Sequence, residues 1–143
     1  MTRTERLKPV VSHTQKKERQ ALQAMATCKN ELEMELRKIE QLENYKTEYL
    51  NKQSQINMTY SSFELQEFKR FIAQLDQTIS QQSKIVEMRK QALDHKRKAW
   101  QSTRINSKVI HKVVDNLNKA ERLQEDKTEQ KLMDELSLRK TLK

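Results

Sequence analysis

The sequence predicts an all-α protein, an antiparallel two-helix coiled-coil hairpin whose second helix is the longer one. The 143-residue chain has no glycine and one proline, so it offers few residues suited to turns. Hydrophobic residues make up 34% of the chain and charged residues 34%, a balance that suits long helices burying one seam. The helical pattern stops and restarts at one interior point, which divides the chain into two helices.

The first helix is predicted from about residue 9 to residue 57. Pro9 is favourable in a first helical turn, where its missing amide hydrogen would have no helical partner. Beyond it, apolar residues recur at heptad spacing, which indicates a coiled-coil seam. The heptad positions are Ala21, Met25, Cys28, Leu32, Glu35, Ile39, Leu42, Lys46, Tyr49, Gln53 and Ile56.

A turn is predicted over residues 57–61. Ser61 and Glu64 have the spacing of a capping box, in which a hydroxyl and a carboxylate each accept a free amide of the helix start. Tyr60 and Leu65 occupy the two positions of a hydrophobic staple. The second helix is therefore predicted from residue 62 to about residue 140, and residues 1–143 are expected to form a single coiled-coil domain.

The second helix carries its own heptad series. Its positions are Leu65, Phe68, Ile72, Leu75, Ile79, Gln82, Val86, Arg89, Leu93, Lys96 and Trp100, followed by Ile110, Val114 and Leu117. If the turn centres on Tyr60, the numbers of facing residues add up to about 120. The facing pairs are then Leu32 with Met88, Cys28 with Ala92, Ala21 with Ala99, Val11 with Val109 and Leu7 with Val113. This register leaves the end of the second helix without a partner, and one chain pairs with itself, so we expect a monomer.

Charge is unevenly distributed along the chain, whose formal net charge is +9. Residues 1–30 carry a net +5, residues 31–48 a net −3, and residues 84–112 a net +7. A basic patch attracts nucleic acid, acidic lipids or an acidic protein surface. A basic coiled-coil nucleic-acid-binding protein is therefore an alternative function, although Trp100 is the one aromatic residue near the basic stretch that could stack on a base.

Catalysis is not expected. The three histidines, His13, His95 and His111, lack metal-ligand spacing, and Cys28 has no second cysteine nearby. A two-helix hairpin also cannot enclose a pocket of enzyme size. The sequence therefore predicts a protein that is not an enzyme and that binds neither a metal nor a cofactor.

Aromatic residues cluster on both helices close to the predicted turn. The register places Tyr49 opposite Phe71, Tyr45 opposite Leu75, Leu42 opposite Thr78, and Lys38 opposite Gln82. The resulting apolar stripe is wider than a two-helix seam can cover, and exposed aromatic patches mark interfaces. The alternative is that the tyrosines close the edge of the seam and keep their hydroxyls in water.

Four features together resemble the FliJ family of flagellar type III export proteins. Two lie beside the turn, and the others are a tryptophan in a basic stretch and a charged tail. The residues are Leu42, Tyr45 and Tyr49; Phe71, Ile72 and Leu75; Trp100; and residues 130–135 with Arg139 and Lys140.

The resemblance implies an antiparallel coiled coil, similar to the central stalk subunit of rotary ATPases, that acts in flagellum biogenesis and protein export. Its implied partners are the hexameric export ATPase, the cytoplasmic domain of the export-gate protein FlhA, and other export chaperones, with no nucleic acid expected. Its implied location is cytoplasmic, at the inner membrane of the flagellar base. The implied gate-binding residues are Lys38, Leu42, Tyr45, Tyr49, Phe71, Leu75, Thr78 and Gln82.

Overall fold

The computed structural model describes residues 2–55 and 60–141, which form two α-helices. Helix α1 spans Arg3–Gln55 and helix α2 spans Ser62–Thr141. The two helices pack against each other, and this part of the chain contains no strand. The predicted helical hairpin with a longer second helix is therefore confirmed.

Helix α1 begins six residues before the predicted start at Pro9, because a capping motif lies upstream. The hydroxyl of Thr2 accepts a hydrogen bond from the Glu5 amide at 3.2 Å, and the Thr2 carbonyl accepts one from the Arg6 amide at 3.2 Å. Threonine followed three residues later by glutamate is the capping-box spacing. Pro9 consequently lies inside the helix, two turns from its start.

Helix α2 begins at the predicted cap. The Ser61 hydroxyl accepts a hydrogen bond from the Glu64 amide at 3.3 Å, and the Ser61 carbonyl accepts one from the Leu65 amide at 3.1 Å. The first bond satisfies an amide that has no partner within the helix, and the second is the first i→i−4 bond of α2. The rest of the predicted turn, residues 57–59, and the heptad position Ile56 lie outside the described residues.

The chain divides into two compact units. The hairpin unit comprises Leu22–Ala99, and the terminal unit comprises Met1–Ala21 with Trp100–Lys143. In the hairpin unit, three predicted heptad residues are the buried apolar core of the described chain: Leu75, Val86 and Leu93. The heptad positions of α1 that face them, such as Leu32 and Ile39, are half-buried. The heptad series thus identifies the seam on both helices.

In the hairpin unit, two of the predicted facing residues point away from the seam. Met88 is 67% exposed and Ala99 is exposed, whereas the next residue along, Arg89, is half-buried. The sum of residue numbers identifies which residues lie at the same level of the hairpin, but it does not identify which side of the helix faces inward. The heptad phase decides that, and it selects Arg89.

The two buried side chains among the described residues of the terminal unit are small. Thr14 and Ser107 are buried, and the Thr14 hydroxyl is satisfied by a hydrogen bond to the Val10 carbonyl at 2.8 Å. Val109 and Val113, which were predicted to face α1, are exposed, because the heptad phase turns Ile110 and Val114 inward instead. Residues 122–141 are all exposed, so the predicted unpaired end of the second helix begins after Glu121.

Candidate protein-interaction surface

Four aromatic rings form a cluster in the hairpin unit. The ring centroids of Tyr49 and Phe71 are 4.6 Å apart, which agrees with the predicted register. Tyr49 also stacks on Phe68 at 5.6 Å, and Tyr45 contacts Phe71 edge-on at 6.2 Å. The ring centroids of Tyr45 and Tyr49 are 5.7 Å apart. Every ring of the cluster therefore packs against a ring of the facing helix.

These rings stay in contact with solvent although they pack on each other. Tyr45 is 46% exposed and Tyr49 is 36% exposed, while Phe68 and Phe71 are half-buried. The tyrosines thus pack along the edge of the seam and also leave an aromatic face uncovered. Aromatic pairs of this geometry attract each other beyond the effect of the area that they bury.

The aromatic face extends toward the start of α2 through a residue that sequence reasoning missed. Phe63 is 70% exposed and lines a shallow groove together with Tyr60 and three aromatic side chains of the cluster. Its signal was present in the sequence, because Phe63 and Phe71 are eight residues apart and thus on one side of a helix. The carboxylates of Glu64 and Glu67 border the same groove. We call the whole set the aromatic surface: Tyr45, Tyr49, Tyr60, Phe63, Phe68 and Phe71.

The other predicted site residues differ in accessibility. Lys38 and Thr78 are exposed, and Leu42 is half-buried. Leu75 is 8% exposed and Gln82 is 9% exposed, so both belong to the seam. Of the eight predicted residues, four are exposed, two are half-buried and two are buried.

The family model described as Flagellar FliJ protein matches residues 3–143, nearly the whole chain. The chain belongs to the FliJ family. It is therefore a flagellar export component, and its family is not known for catalysis. Comparisons with curated proteins and with solved structures give no significant match.

Two features that would suggest other kinds of site are not found in the part of this FliJ-family chain that the structure describes. No helix there is long and apolar enough to cross a membrane. Within residues 2–55 and 60–141, no three side chains of His, Cys, Asp or Glu come together in a way that could hold a metal ion.

Gln82 and Arg89 are two of the polar residues at heptad positions of the FliJ-family hairpin unit. The Gln82 side-chain amide donates hydrogen bonds to the Glu35 carboxylate and, at 3.1 Å, to the Glu35 carbonyl. One heptad further along α2, Arg89 donates to the Glu31 carboxylate at 2.8 Å. We call these contacts of Gln82 and Arg89 with Glu35 and Glu31 the polar layer. A shift of α2 along α1 would separate these donors from their acceptors, so the polar layer favours the observed register of the two helices.

The polar layer lowers the pKa of Glu35 below its ordinary value of 4.5, chiefly through the hydrogen bond from Gln82. Partial burial of the Glu35 carboxylate opposes this shift, and the positive charges of Lys38 and Arg89 reinforce it. The ionised form of Glu35 is thus the one that the folded chain stabilises.

We expect a pH-dependent stability difference between the wild-type chain and a Glu35→Gln variant. A carboxyl group whose folded pKa is lowered contributes stability above its unfolded pKa, and this contribution is lost as the pH falls through the folded pKa. The wild-type chain should therefore melt at a higher temperature than the variant at pH 7, and the difference should shrink below pH 4.5. Circular dichroism melts across this range measure it. A difference that stays constant with pH would mean that Glu35 ionisation does not stabilise the fold.

Proposed function

We propose that the chain is a non-enzymatic coupling element of the flagellar export apparatus. In this proposal it joins the hexameric export ATPase to the cytoplasmic domain of the export-gate protein FlhA, and it also acts as a general export chaperone. The mechanism is conformational, and the chain makes or breaks no bond. It works as a monomer in the cytoplasm, associated with the inner membrane at the flagellar base.

The aromatic surface is the observation that supports gate binding most strongly. Large apolar rings exposed together are the residues that carry binding energy at protein interfaces. Tyr49 and Phe71 are the proposed anchors, because they pack on each other and on neighbouring rings, and so lose little freedom on binding. Tyr45 and Phe63 widen the face on either side.

The remaining predicted residues have supporting parts in this proposal. Lys38 and Thr78 are exposed and Leu42 is half-buried, and we propose that they contribute to complementarity with the gate. Leu75 and Gln82 are buried, so we propose that they hold α2 at the height that presents Phe71.

The proposed ATPase contact uses the basic terminal unit. Residues 1–21 carry six Lys/Arg and two Glu, and these charges lie on a helix with exposed polar faces. Such a surface attracts an acidic partner over several ångströms in moderate salt.

Deleting residues 1–20 should remove most of the stimulation of ATPase activity and leave gate binding intact. The deletion removes nearly all of the α1 residues that belong to the terminal unit, whereas the aromatic surface belongs to the hairpin unit. ATP hydrolysis by the purified ATPase and pull-down of the FlhA cytoplasmic domain measure the two effects. A Lys16→Glu, Lys17→Glu variant, which keeps the full chain length, should lose stimulation in the same direction. Undiminished stimulation by both variants would remove the ATPase from the proposal.

The nucleic-acid alternative is disfavoured by the surroundings of Trp100. Its indole ring is half-buried, and the Arg104 guanidinium lies over it, 5.4 Å from the ring centroid. A base could stack there only by displacing this cation–π contact. RNA affinity that falls steeply with salt would favour the alternative.

A further inference from the structure

An exposed apolar row runs along α2 in the terminal unit, apart from the aromatic surface. Ile105 is 62% exposed, Val109 is 56% exposed and Val113 is 46% exposed. Their spacing of four residues places successive members one turn apart along the helix. These three β-branched side chains form an apolar strip that is exposed to solvent. Such a strip stands out on a chain in which 34% of the residues are charged.

Val109, the middle residue of the row, lines a groove between the two helices of the terminal unit. Val109 and Ile110 line this groove from α2, and His13 and Lys17 line it from α1. The floor includes Thr14 and Thr103, and the small seam residues leave the groove unfilled. A side chain projecting from another helix can enter such a depression, whereas a flat surface cannot.

Basic side chains surround the apolar row on both sides. Arg104, Lys108 and Lys112 are exposed and repeat with the same spacing as the row, displaced from it by one residue around the helix. Lys17 lies across the groove. The paired part of the unit, residues 3–21 with residues 100–121, holds ten Lys/Arg and four Asp/Glu, a net charge of +6.

We propose that an acidic amphipathic helix of a partner protein docks in this groove, with its apolar side on Ile105, Val109 and Val113 and its carboxylates toward the flanking lysines. We call this groove the basic groove. The contact would complete a three-helix arrangement, in which apolar residues of the third helix cover the exposed row. This inference goes beyond the proposed function: it shares Lys17 with the proposed ATPase contact, but its test uses a peptide and contains neither the gate nor the ATPase.

The charge and the shape of the basic groove favour this occupant over two others. A second copy placed with the same groove against this one would bring two surfaces of net +6 together, which costs energy. An anionic membrane would match the charge, but insertion relies on a convex face with large apolar side chains such as Trp, Phe and Leu. The row has shorter side chains beside a depression.

The test uses the full chain and a synthetic helical peptide of about three heptads, with leucine at the a and d positions and glutamate at the flanking positions. A second peptide carries lysine in place of each glutamate. Binding is measured by anisotropy of the labelled peptides, at about 50 mM and about 500 mM NaCl. Vesicles with anionic lipids and the self-association of the chain are measured alongside.

The acidic peptide should bind and the basic peptide should not, with weaker binding in high salt. Val109→Glu and Lys17→Glu should each weaken binding at least about tenfold, whereas Met88→Glu, a charge introduced at an exposed site of the hairpin unit, should not. Unchanged circular dichroism melts of the variants exclude unfolding. Equal binding of both peptides, no binding of either, or Val109-dependent binding to vesicles or to a second copy instead would overturn the proposal.

Discussion

Replacing Leu75 by alanine is expected to lower the free energy of unfolding by about 2–5 kcal/mol, as large-to-small changes in packed cores do. Leu75 is 8% exposed, and in the described residues the only other buried apolar side chains are those of Val86 and Leu93. A core with so few members loses a large share of its burial when one is truncated. Urea or thermal unfolding followed by circular dichroism measures the change.

Phe63→Ala is the matched control for Leu75→Ala. Phe63 has a larger side chain, but it is 70% exposed, so its removal should change the free energy of unfolding by no more than about 0.5 kcal/mol. Equal destabilisation by the two variants would contradict the assignment of Leu75 to the seam and of Phe63 to the surface.

Replacing Phe71 by alanine is expected to weaken binding to the FlhA cytoplasmic domain by about 2 kcal/mol or more, which is about 30-fold in affinity. Phe71 contacts Tyr45 and Tyr49, so its loss removes one proposed anchor and takes a packing partner from two neighbouring rings. Because Phe71 is half-buried, its truncation should destabilise the fold by less than Leu75→Ala does. Calorimetric titration gives the affinity, and a melt of the same protein gives the stability.

Met88→Ala is the control for binding, since Met88 is 67% exposed and lies in the same unit but outside the aromatic surface. It should bind the gate domain as the wild-type chain does. A Phe71→Ala protein that melts and binds like the wild type would exclude Phe71 from the interface. One that melts as early as Leu75→Ala would place Phe71 in the core.

Most of the fold could be predicted from the sequence, because a coiled coil is specified by local periodicity. The heptad series led to the buried residues Leu75, Val86 and Leu93, and the Ser61 cap located the start of α2. The predicted start of α1 was six residues late, because Pro9 favours a first helical turn while the cap that starts the helix is Thr2. Met88 was predicted to face α1, but its neighbour Arg89 does so. The sum of residue numbers gives the position along the hairpin, and it does not tell which side of the helix faces the seam.

The candidate surface could be predicted in part for a similar reason. The contact between Tyr49 and Phe71 follows from the register alone, and it is observed. Sequence reasoning also grouped Gln82 with the surface residues, but Gln82 lies on the heptad series and is buried against Glu35. Phe63 was missed because it lies off the heptad series, although being off that series is what exposes it to solvent.

The central proposal, that the aromatic surface binds the export gate, is tested most directly by site-specific photo-crosslinking. A photoreactive phenylalanine derivative replaces Phe63 in one protein and Met88 in another, and each is irradiated with the FlhA cytoplasmic domain. Both positions are well exposed in the free chain, so accessibility alone does not distinguish them. We expect a cross-linked product from position 63 and none from position 88. Cross-linking from position 88 alone, or equally from both positions, would contradict the proposal.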